Sequence, residues 1–298
     1  MTTGSTEYGA YVDNMTKLKR ITSQSNILVK TVKRLKTKKG RDLLGCYIIE
    51  GEKLVEEALY HKAEITHIYY SEDFDYNGRI GRIDHSRESR IDRSGESRID
   101  HSGESRIELI ETDRRTFLAI SDTETPQGVL AVVKKPDFRV VSENWLILDR
   151  IQDPGNLGTI IRTGDAADFG TVIAIKGGSD IYAPKVVRAS AGAFFRVGST
   201  TLDSAQAAVA LARKHGKRLI AADPQKGISC FSADLTAPFA LIIGNEGEGL
   251  DAFFIDNADV AVSIPMRGDC ESLNASIAAS VIMFEALRQS LIVGFGSR

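Results

Sequence analysis

The chain has 298 residues, of which 42% are hydrophobic, and a net charge of −2, so it can bury one large core or two ordinary ones. The near-neutral charge excludes a globally basic nucleic-acid-binding protein, and any contact with nucleic acid must come from a local basic segment. The three cysteines (Cys46, Cys230 and Cys270) form no CxxC pair and follow no secretory signal, which predicts a cytoplasmic protein with no disulfide framework and no structural zinc.

The N-terminal part begins with residues 1–14, which we expect to be a flexible tail. Between Met15 and Arg41 there are ten Lys or Arg residues and no Asp or Glu. Apolar residues recur at helical spacing inside this segment (Ile27, Leu28, Val32 and Leu35). The pattern predicts an amphipathic helix with a basic outer face. This face is either a solvated surface or a phosphate-binding footprint, in which case four residues would bind RNA: Lys33, Arg34, Lys36 and Lys39.

After the basic segment, "LLGCYIIE" predicts a strand, "EKLVEEALYH" a helix and "ITHIYYS" another strand. We therefore expect a small α/β domain over residues 15–135. A low-complexity octad repeat interrupts it at 79–106, with one Ile in each unit and nearly balanced charge. So little apolar surface cannot offset the entropy of ordering, which favours a mostly disordered surface insertion. An additional RNA-contacting arm and a stack of the β-helix type are the alternatives.

Residues 136–298 are expected to form a second domain after the linker "KKPDF" at 134–138. The predicted strands are "WLILD", "TVIAI", "RLIAA", "FALII" and "VAVSI", and the predicted helices cover 156–168, 203–215 and about 273–291. Apolar strands that alternate with helices predict a parallel sheet covered on both faces. No apolar run reaches the ~18 residues that span a bilayer, so we expect no membrane partner.

Three polar, glycine-containing loops follow three of these strands, after "WLILD", "FALII" and "VAVSI". Because ligands bind at the carboxyl ends of strands in open parallel sheets, the three loops are expected at one edge. Their candidate catalytic residues are Asn156, Arg162, Glu246, Ser272 and Asn274. One fixed cation, one carboxylate and several amide or hydroxyl groups suit a reaction on an anionic, hydroxyl-bearing substrate.

Several common sites lack support in this sequence. It contains neither GxGxxG after the first of these strands nor GxxxxGK[ST], and neither GxSxG nor HExxH. All five His residues lie outside the three loops, which argues against a His-based nucleophile relay. Cys270 has no nearby His in the sequence and is expected to be structural. We expect no bound metal.

The loop sequences resemble a known family. "QDPGNLGTIIRTGDAADFG", "IIGNEGEGL" and "IPMRGDCESLNASIAAS" resemble the three motifs of the SpoU/TrmH RNA ribose 2′-O-methyltransferases, which belong to the SPOUT superfamily. "KVVRASAGAFFRV" also resembles a segment of that family, and the resemblance covers about 145–292. Residues 26–60 are similar to its small ribosomal-protein-like substrate-binding domain. Gly164 and Asp168 stand where Ala and Gly are commoner in the first motif.

The resemblance implies an α/β parallel-sheet domain with a trefoil knot, a homodimer, and S-adenosylmethionine as the cofactor. Three positions match those that contact the cofactor, largely through the backbone: Gly244, Ile264 and Leu273. It also implies that Arg162 is catalytic. Because arginine stays protonated, we interpret Arg162 as a fixed cation that grips a phosphate and stabilises the developing alkoxide.

The remaining polar residues are assigned supporting roles by the same resemblance. Asn156 would hold the substrate or a loop, and Glu246 would orient Arg162 or the loops. Ser272 and Asn274 would close the pocket. The large auxiliary domain favours ribosomal RNA over transfer RNA as the substrate. Two other interpretations remain open: a non-catalytic RNA-binding protein that keeps the knotted fold, and a small-molecule enzyme built on an open α/β sheet.

Overall fold

The computed structural model describes residues 19–76, 80, 107–236, 238–268 and 272–296. The predicted tail at 1–14 and the octad repeat at 82–105 lie outside the described residues. The chain divides into two compact units, Met1–Pro136 and Asp137–Arg298.

The basic segment of the N-terminal unit forms a strand and two helices: β1 (Lys19–Ile21), α1 (Ile27–Leu35) and α2 (Lys38–Leu44). The prediction of one continuous helix is wrong because two capping residues each begin a separate helix. Asn26 begins α1, and the side chain of Thr37 accepts the N–H of Gly40 to begin α2. Gly40 also permits a close approach between the helices, since a Cβ there would lie 2.0 Å from the carbonyl oxygen of Arg34.

A five-stranded mixed sheet of order β1-β4-β3-β5-β2 completes this unit. Its other elements are β2 (Cys46–Glu50), α3 (Glu52–Tyr60), β3 (Ile65–Ser71), β4 (Glu108–Thr112), α4 (Arg114–Ile120) and β5 (Val129–Lys134). Strands β1, β4 and β3 run parallel, and β5 pairs antiparallel with β3 and β2. The apolar face of α1 packs on the sheet through Val29, Val32 and Leu35, beside Phe117 of α4.

The C-terminal unit contains a seven-stranded, wholly parallel sheet of order β10-β12-β9-β11-β6-β7-β8. The strands are β6 (Trp145–Leu148), β7 (Thr171–Ile175), β8 (Gly198–Leu202), β9 (Arg218–Ala222), β10 (Ile228–Ser229), β11 (Phe239–Ile243) and β12 (Val260–Ser263). Strands β6, β7 and β11 are buried along their whole length, as strands covered on both faces must be. The predicted α/β class with a parallel sheet is confirmed.

The helices of this unit are α5 (Pro154–Ala166), α6 (Pro184–Ala189), α7 (Ala205–Lys214), α8 (Ala252–Asn257) and α9 (Ala275–Gly296). A short 3₁₀ helix, Ala193–Phe195, precedes β8. Helix α5 packs closely on α6 at Gly158, where a Cβ would lie 2.4 Å from the Cβ of Ala189. Substitution of Gly158 would therefore push these two helices apart.

Both departures from the resembled motif have a structural consequence. Asp168 has a φ of 62°, in the left-handed region that glycine adopts without strain. Burial raises the pKa of its carboxyl group. At Gly164, a Cβ would lie 2.8 Å from Leu146 Cδ1 and 3.0 Å from the carbonyl oxygen of Phe169. An alanine at position 164 would require β6 and the end of α5 to separate slightly.

Helix α9 is long and apolar enough to cross a membrane by length and composition alone, since the window Ala275–Ile292 has a mean hydropathy of 1.3. Polar and charged residues interrupt this window, among them Ser276, Ser280, Glu285 and Arg288, so it is not an unbroken apolar run of the kind that the sequence was expected to lack. The helix nevertheless packs within its unit through Ala279 and Met283, which are fully buried. The carboxylate of Glu285 accepts hydrogen bonds from Arg288 and Gln289. One helix of this kind is weak evidence for a membrane.

Candidate functional site

The candidate site lies at the switch point of the C-terminal sheet, where β6 and β11 are neighbours. From β6 the chain proceeds to β7 on one side, whereas β9 lies on the far side of β11. Crevices at such a point are where parallel sheets bind ligands. Three loops matter here: the first loop (149–153) after β6, the second loop (244–250) after β11, and the third loop (264–274) after β12.

Asp149 joins the first and second loops. Its side chain is 1% exposed, and Oδ2 accepts the backbone N–H of Asp251 at 2.7 Å. Oδ1 forms a salt bridge with Nε of Arg150 at 2.8 Å. The backbone carbonyl of Arg150 in turn accepts a hydrogen bond from Nδ2 of Asn245 at 2.8 Å. Because this buried carboxylate is satisfied from both loops, it fixes their spacing.

The second loop is a compact turn built around Asn245. The Asn245 and Gly249 backbones form a two-way bridge, and Oδ1 of Asn245 accepts the N–H groups of Gly247 and Glu248. Gly244 lies against this turn, and a Cβ there would be 2.6 Å from the carbonyl carbon of Gly249. Only glycine fits position 244 in this arrangement.

Glu246 links the second loop to the first loop and to α5. Its carboxylate accepts Nδ2 of Asn156 at 2.9 Å and the backbone N–H groups of Gln152 at 3.1 Å and Asp153 at 3.5 Å. Burial alone would raise the pKa of Glu246, but the hydrogen bonds from Asn156 and the backbone outweigh it and lower the pKa below its ordinary value. Of the two roles predicted for Glu246, the geometry favours orienting the loops.

Asn156 also connects to the third loop and to α9. Its Oδ1 accepts Nδ2 of Asn274 at 3.0 Å and the hydroxyl of Ser276 at 3.2 Å. Oδ1 of Asn274 accepts the N–H of Ser276 at 2.9 Å and so begins α9. The side-chain amide of Asn156, on the helix that follows the first loop, therefore bonds residues of the second loop, the third loop and α9. Ser276 is not among the residues predicted for the site, although it lies two residues after Asn274.

Arg162 is exposed on α5, six residues after Asn156. In a regular helix this separation places the two side chains about 9 Å apart along the axis and about 120° apart around it. Thr163 lies on the Asn156 side instead, where its hydroxyl meets Ser280 of α9 at 3.3 Å. Across the described part of the chain, Arg162 makes no hydrogen bond or ion pair. Its guanidinium is thus available to a ligand.

The three positions matched to the cofactor lie on the second and third loops. Gly244 and Ile264 are half-buried, and the Leu273 side chain is exposed beside Asn274. Ser272 is also exposed. Cys270 lies outside the described residues, as do its two neighbours. Within the ranges that the structure describes, no cluster of His, Cys, Asp or Glu side chains is arranged to hold a metal ion.

The four basic residues predicted to bind RNA differ in how accessible they are to a ligand. Lys33 donates to Oε1 of Gln24 at 3.4 Å, and Lys36 donates to the backbone carbonyl of Ser121. Both lysines are half-buried. Arg34 and Lys39 are exposed, as is Lys38 between the last two of the four. The N-terminal unit therefore offers an exposed basic surface along α1 and α2.

The pKa shift of Glu246 leads to a prediction on stability. Because the folded-state pKa is depressed, the carboxylate stabilises the fold at pH values above its ordinary pKa of 4.5, and this contribution is lost as the pH falls through the folded value. We expect Glu246→Gln to lower Tm at pH 7 and to flatten the decline of Tm between about pH 5 and pH 3. Thermal melts at both ends of this range measure the effect. If the decline of Tm with falling pH were the same in the variant and the wild type, Glu246 would not contribute to the acid sensitivity of the fold.

The fold and this candidate site define an α/β protein in which three loops meet at the switch point of a parallel sheet. The sequence profile of the SpoU rRNA Methylase family matches residues 143–284, and that of the MRM3-like substrate binding domain matches residues 26–131.

Individual relatives agree with these matches. The 23S rRNA (guanosine(2553)-2′-O)-methyltransferase RlmP of Bacillus subtilis is 32% identical over 268 residues, which cover 90% of this chain and 98% of that protein. The AdoMet-bound rRNA methyltransferase of Sinorhizobium meliloti superposes with a TM-score of 0.75 at 27% identity, covering 91% of this chain and 98% of that one. The SpoU methyltransferase AviRb of Streptomyces viridochromogenes, in complex with AdoMet, gives 0.72 at 27% identity and covers 90% and 100%. The chain belongs to the SpoU rRNA methylase family.

Proposed function

We propose that the protein transfers a methyl group from S-adenosylmethionine to a ribose 2′-hydroxyl of ribosomal RNA in the cytoplasm. The observation that carries this proposal is the convergence of all three family motifs on the amide of Asn156. The relatives from Bacillus subtilis and Sinorhizobium meliloti are named as a 23S rRNA and an rRNA methyltransferase. The basic surface on α1 and α2 supports an RNA substrate, because Lys30, Arg34, Lys38 and Lys39 are exposed and Asp42 is the one acidic residue in these two helices.

The residues at the second and third loops fit an adenine nucleoside cofactor. Gly244 exposes backbone at a turn that admits no side chain, while Ile264 and Leu273 supply apolar surface for a ring. When bound, S-adenosylmethionine supplies an electrophilic methyl group, so the protein need not build one. We propose that Gly244, Ile264 and Leu273 hold it and that the C-terminal segment threads a loop to form the trefoil knot.

The remaining task of the protein is to align and activate the ribose hydroxyl. Arg162 is exposed and unpaired among the described residues, and its planar guanidinium matches a phosphate group in two parallel hydrogen bonds. It keeps its proton, so it stabilises the developing alkoxide rather than accepting the hydroxyl proton. Asn156, Glu246 and Asn274 hold the loops, and Ser272 borders the same pocket. A water or the adjacent phosphate accepts the proton.

We propose that the active protein is a homodimer joined through α9. Ile277, Phe284 and Leu291 recur at intervals of seven residues, and each is 49–52% exposed. Large apolar side chains in such a row mark an interaction surface. A second copy of the chain would also bring another Arg162 to each set of loops, which would compensate for the angle between Arg162 and Asn156 on α5.

Phe284→Glu should convert the dimer into monomers, because two copies of the new carboxylate would be desolvated at a two-fold interface. Light scattering coupled to gel filtration measures the mass. Methyl transfer should fall at least tenfold at concentrations where the wild type is dimeric. Lys214→Glu, an exposed change at the end of α7, is the matched control. If the Phe284→Glu protein remained dimeric, the dimer interface would not lie on α9.

Methyl transfer itself is tested with tritiated S-adenosylmethionine and 23S rRNA from a strain that lacks this gene. We expect label in the rRNA and, after hydrolysis, in a ribose 2′-O-methyl nucleotide. Transfer RNA from the same strain is the control. Binding of rRNA without any transfer would indicate a non-catalytic RNA-binding protein. Failure to bind rRNA even at low salt would favour a small-molecule enzyme.

A further inference from the structure

The N-terminal unit contains a cleft of about 330 Å³, between the end of β3, helix α4 and the loop at 121–128. This size lies within the range of small-ligand pockets, so one nucleobase can enter it. The cleft takes no part in the loop network at the C-terminal sheet, and all of its lining residues belong to the N-terminal unit.

The cleft has an apolar floor and an apolar wall. Phe74 and Phe117 line the floor and are 8% and 1% exposed. Phe74 lies against Gly128, whose φ of 89° and missing side chain let the ring approach the loop; a Cβ there would be 3.2 Å from Phe74 Cβ. Leu118 stands at the wall and is 50% exposed. A flat aromatic ligand would lie on Leu118, above the two buried rings, and Leu118 would supply its apolar contact.

Polar groups surround this apolar surface. Arg114 and Asp73 lie 3.8 Å apart with 77% and 63% of their side chains exposed, and Glu124 and Gln127 also line the cleft. The carboxylates can accept N–H groups from the edge of a base, and Arg114 can contact a phosphate or a base acceptor. Apolar faces with a polar edge are the complement of an unstacked nucleobase.

The loop at 121–128 is held rigidly before any ligand arrives. Glu50 is 5% exposed, and its carboxylate accepts the Ser121 hydroxyl at 2.5 Å, the Asp122 N–H at 2.8 Å and the Thr123 hydroxyl at 2.7 Å. Oε1 of Gln127 accepts the N–H of Glu52 at 3.0 Å. Because the buried carboxylate of Glu50 already holds the loop at 121–128, the loop loses little conformational entropy when a ligand binds.

The cleft adjoins the basic surface of the same unit. Lys36, which immediately follows α1, donates to the carbonyl of Ser121 at the start of the cleft loop. Gln24 donates to the carbonyl of Arg115, next to Arg114. These two hydrogen bonds connect residues at the ends of α1 to α4 and to the cleft loop, so an RNA strand bound on α1 can extend to the cleft.

We infer that this cleft binds one unpaired base of the RNA substrate, which makes the substrate a single-stranded loop or bulge rather than a regular duplex. The inference rests on the proposed function for the identity of the polymer. It assigns a specificity role to Leu118 and Arg114, which lie outside the methyl-transfer site.

The test uses the full chain and refolded, protein-free 23S rRNA from a strain that lacks this gene. After irradiation at short wavelength, mass spectrometry of the cross-linked peptides should find nucleotide adducts in the peptides that contain Phe74 and Phe117. Leu118→Ser should weaken the rRNA Kd roughly five- to tenfold. Val140→Ser, at a residue 45% exposed that precedes β6 and lies outside both RNA-binding helices and the three loops, is the matched control and should stay within about twofold. Thermal melts verify that both variants fold.

Absence of adducts in both peptides, together with wild-type affinity of Leu118→Ser, would overturn the inference. Methyl transfer by the wild type to the same rRNA keeps this result separate from the proposed function. If transfer occurs without adducts in the cleft, the base site is wrong and the proposed function stands. If adducts form in the cleft without transfer, the base site stands and the methyltransferase proposal fails.

Discussion

Arg162→Lys and Arg162→Ala should each lower methyl transfer to rRNA by at least about 10²-fold, the typical cost of removing one group that stabilises a developing oxyanion. Lysine keeps the charge but loses the planar pair of donors, so it should not rescue the reaction. Titration calorimetry should find S-adenosylmethionine binding within about twofold of the wild type, since the loops do not depend on Arg162. Arg139→Ala, at another exposed arginine of the same unit, is the control.

Near-normal turnover of Arg162→Lys would refute the argument from planar geometry. A mixing experiment then asks which subunit supplies the guanidinium. Equal amounts of Arg162→Ala and Asn156→Asp subunits should regain roughly a quarter of wild-type activity if Arg162 acts on the loops of its partner, because half of the dimers are mixed and each has one intact site. If Arg162 acts within its own subunit, the mixture stays inactive.

Asn156→Asp should be nearly as damaging, although the side chain keeps its shape. The new carboxylate cannot donate to Glu246, which lies 2.9 Å from the present amide nitrogen. Two carboxylates at this distance cannot both ionise, so one of their pKa values rises. At pH 8 we expect both S-adenosylmethionine affinity and methyl transfer to fall at least tenfold, because the first and second loops repel each other.

The sign of the pH dependence distinguishes this mechanism from simple misfolding. As pH falls from 8 towards 6, the pair binds one proton and regains a donor, so the activity of the variant relative to the wild type should rise. Gln206→Glu, which converts an exposed amide into a carboxylate on α7, outside the three loops, is the control and should show no such rise. A relative activity that stays flat from pH 8 to pH 6 would contradict the role of the Asn156–Glu246 hydrogen bond.

The buried parallel strands could be predicted from the sequence because both of their faces require apolar residues. Strand β11, "FALII", is an example, since all five of its residues are buried. The edge strand β8, "GSTTL", escaped prediction because three of its five residues are not buried and its polar side chains hide the period. The prediction of one continuous helix in the basic segment was wrong for another reason. Helical spacing continues through α1, but it carries no information about the restart that Thr37 imposes as a cap.

Asn156, Glu246 and Asn274 could be selected from the sequence as neighbours at one sheet edge, but the hydrogen bonds that join them could not be predicted. Strand order alone places the loops after β6 and β11 side by side, because these strands are hydrogen-bonded neighbours. No sequence rule pairs Asn156 with Asn274, since that contact depends on how α9 packs against α5. For the same reason the hydrogen bonds of the Ser276 hydroxyl and of the Asp149 carboxylate could not be predicted from the sequence. Their role becomes visible only when the partners across the loops are known.

The position of β11 between β6 and β9 has a consequence for biosynthesis. Trp145 pairs with Ala240, so a central strand must wait for a partner synthesised about 95 residues later. At typical translation speeds the wait is roughly 5–20 s. During this time the nascent chain on the ribosome exposes the unpaired edge of the apolar strand β6. Long-range pairing of this kind folds slowly and invites aggregation. We expect nascent chains truncated before Phe239 to bind chaperones strongly, and chains that extend past α9 to be released.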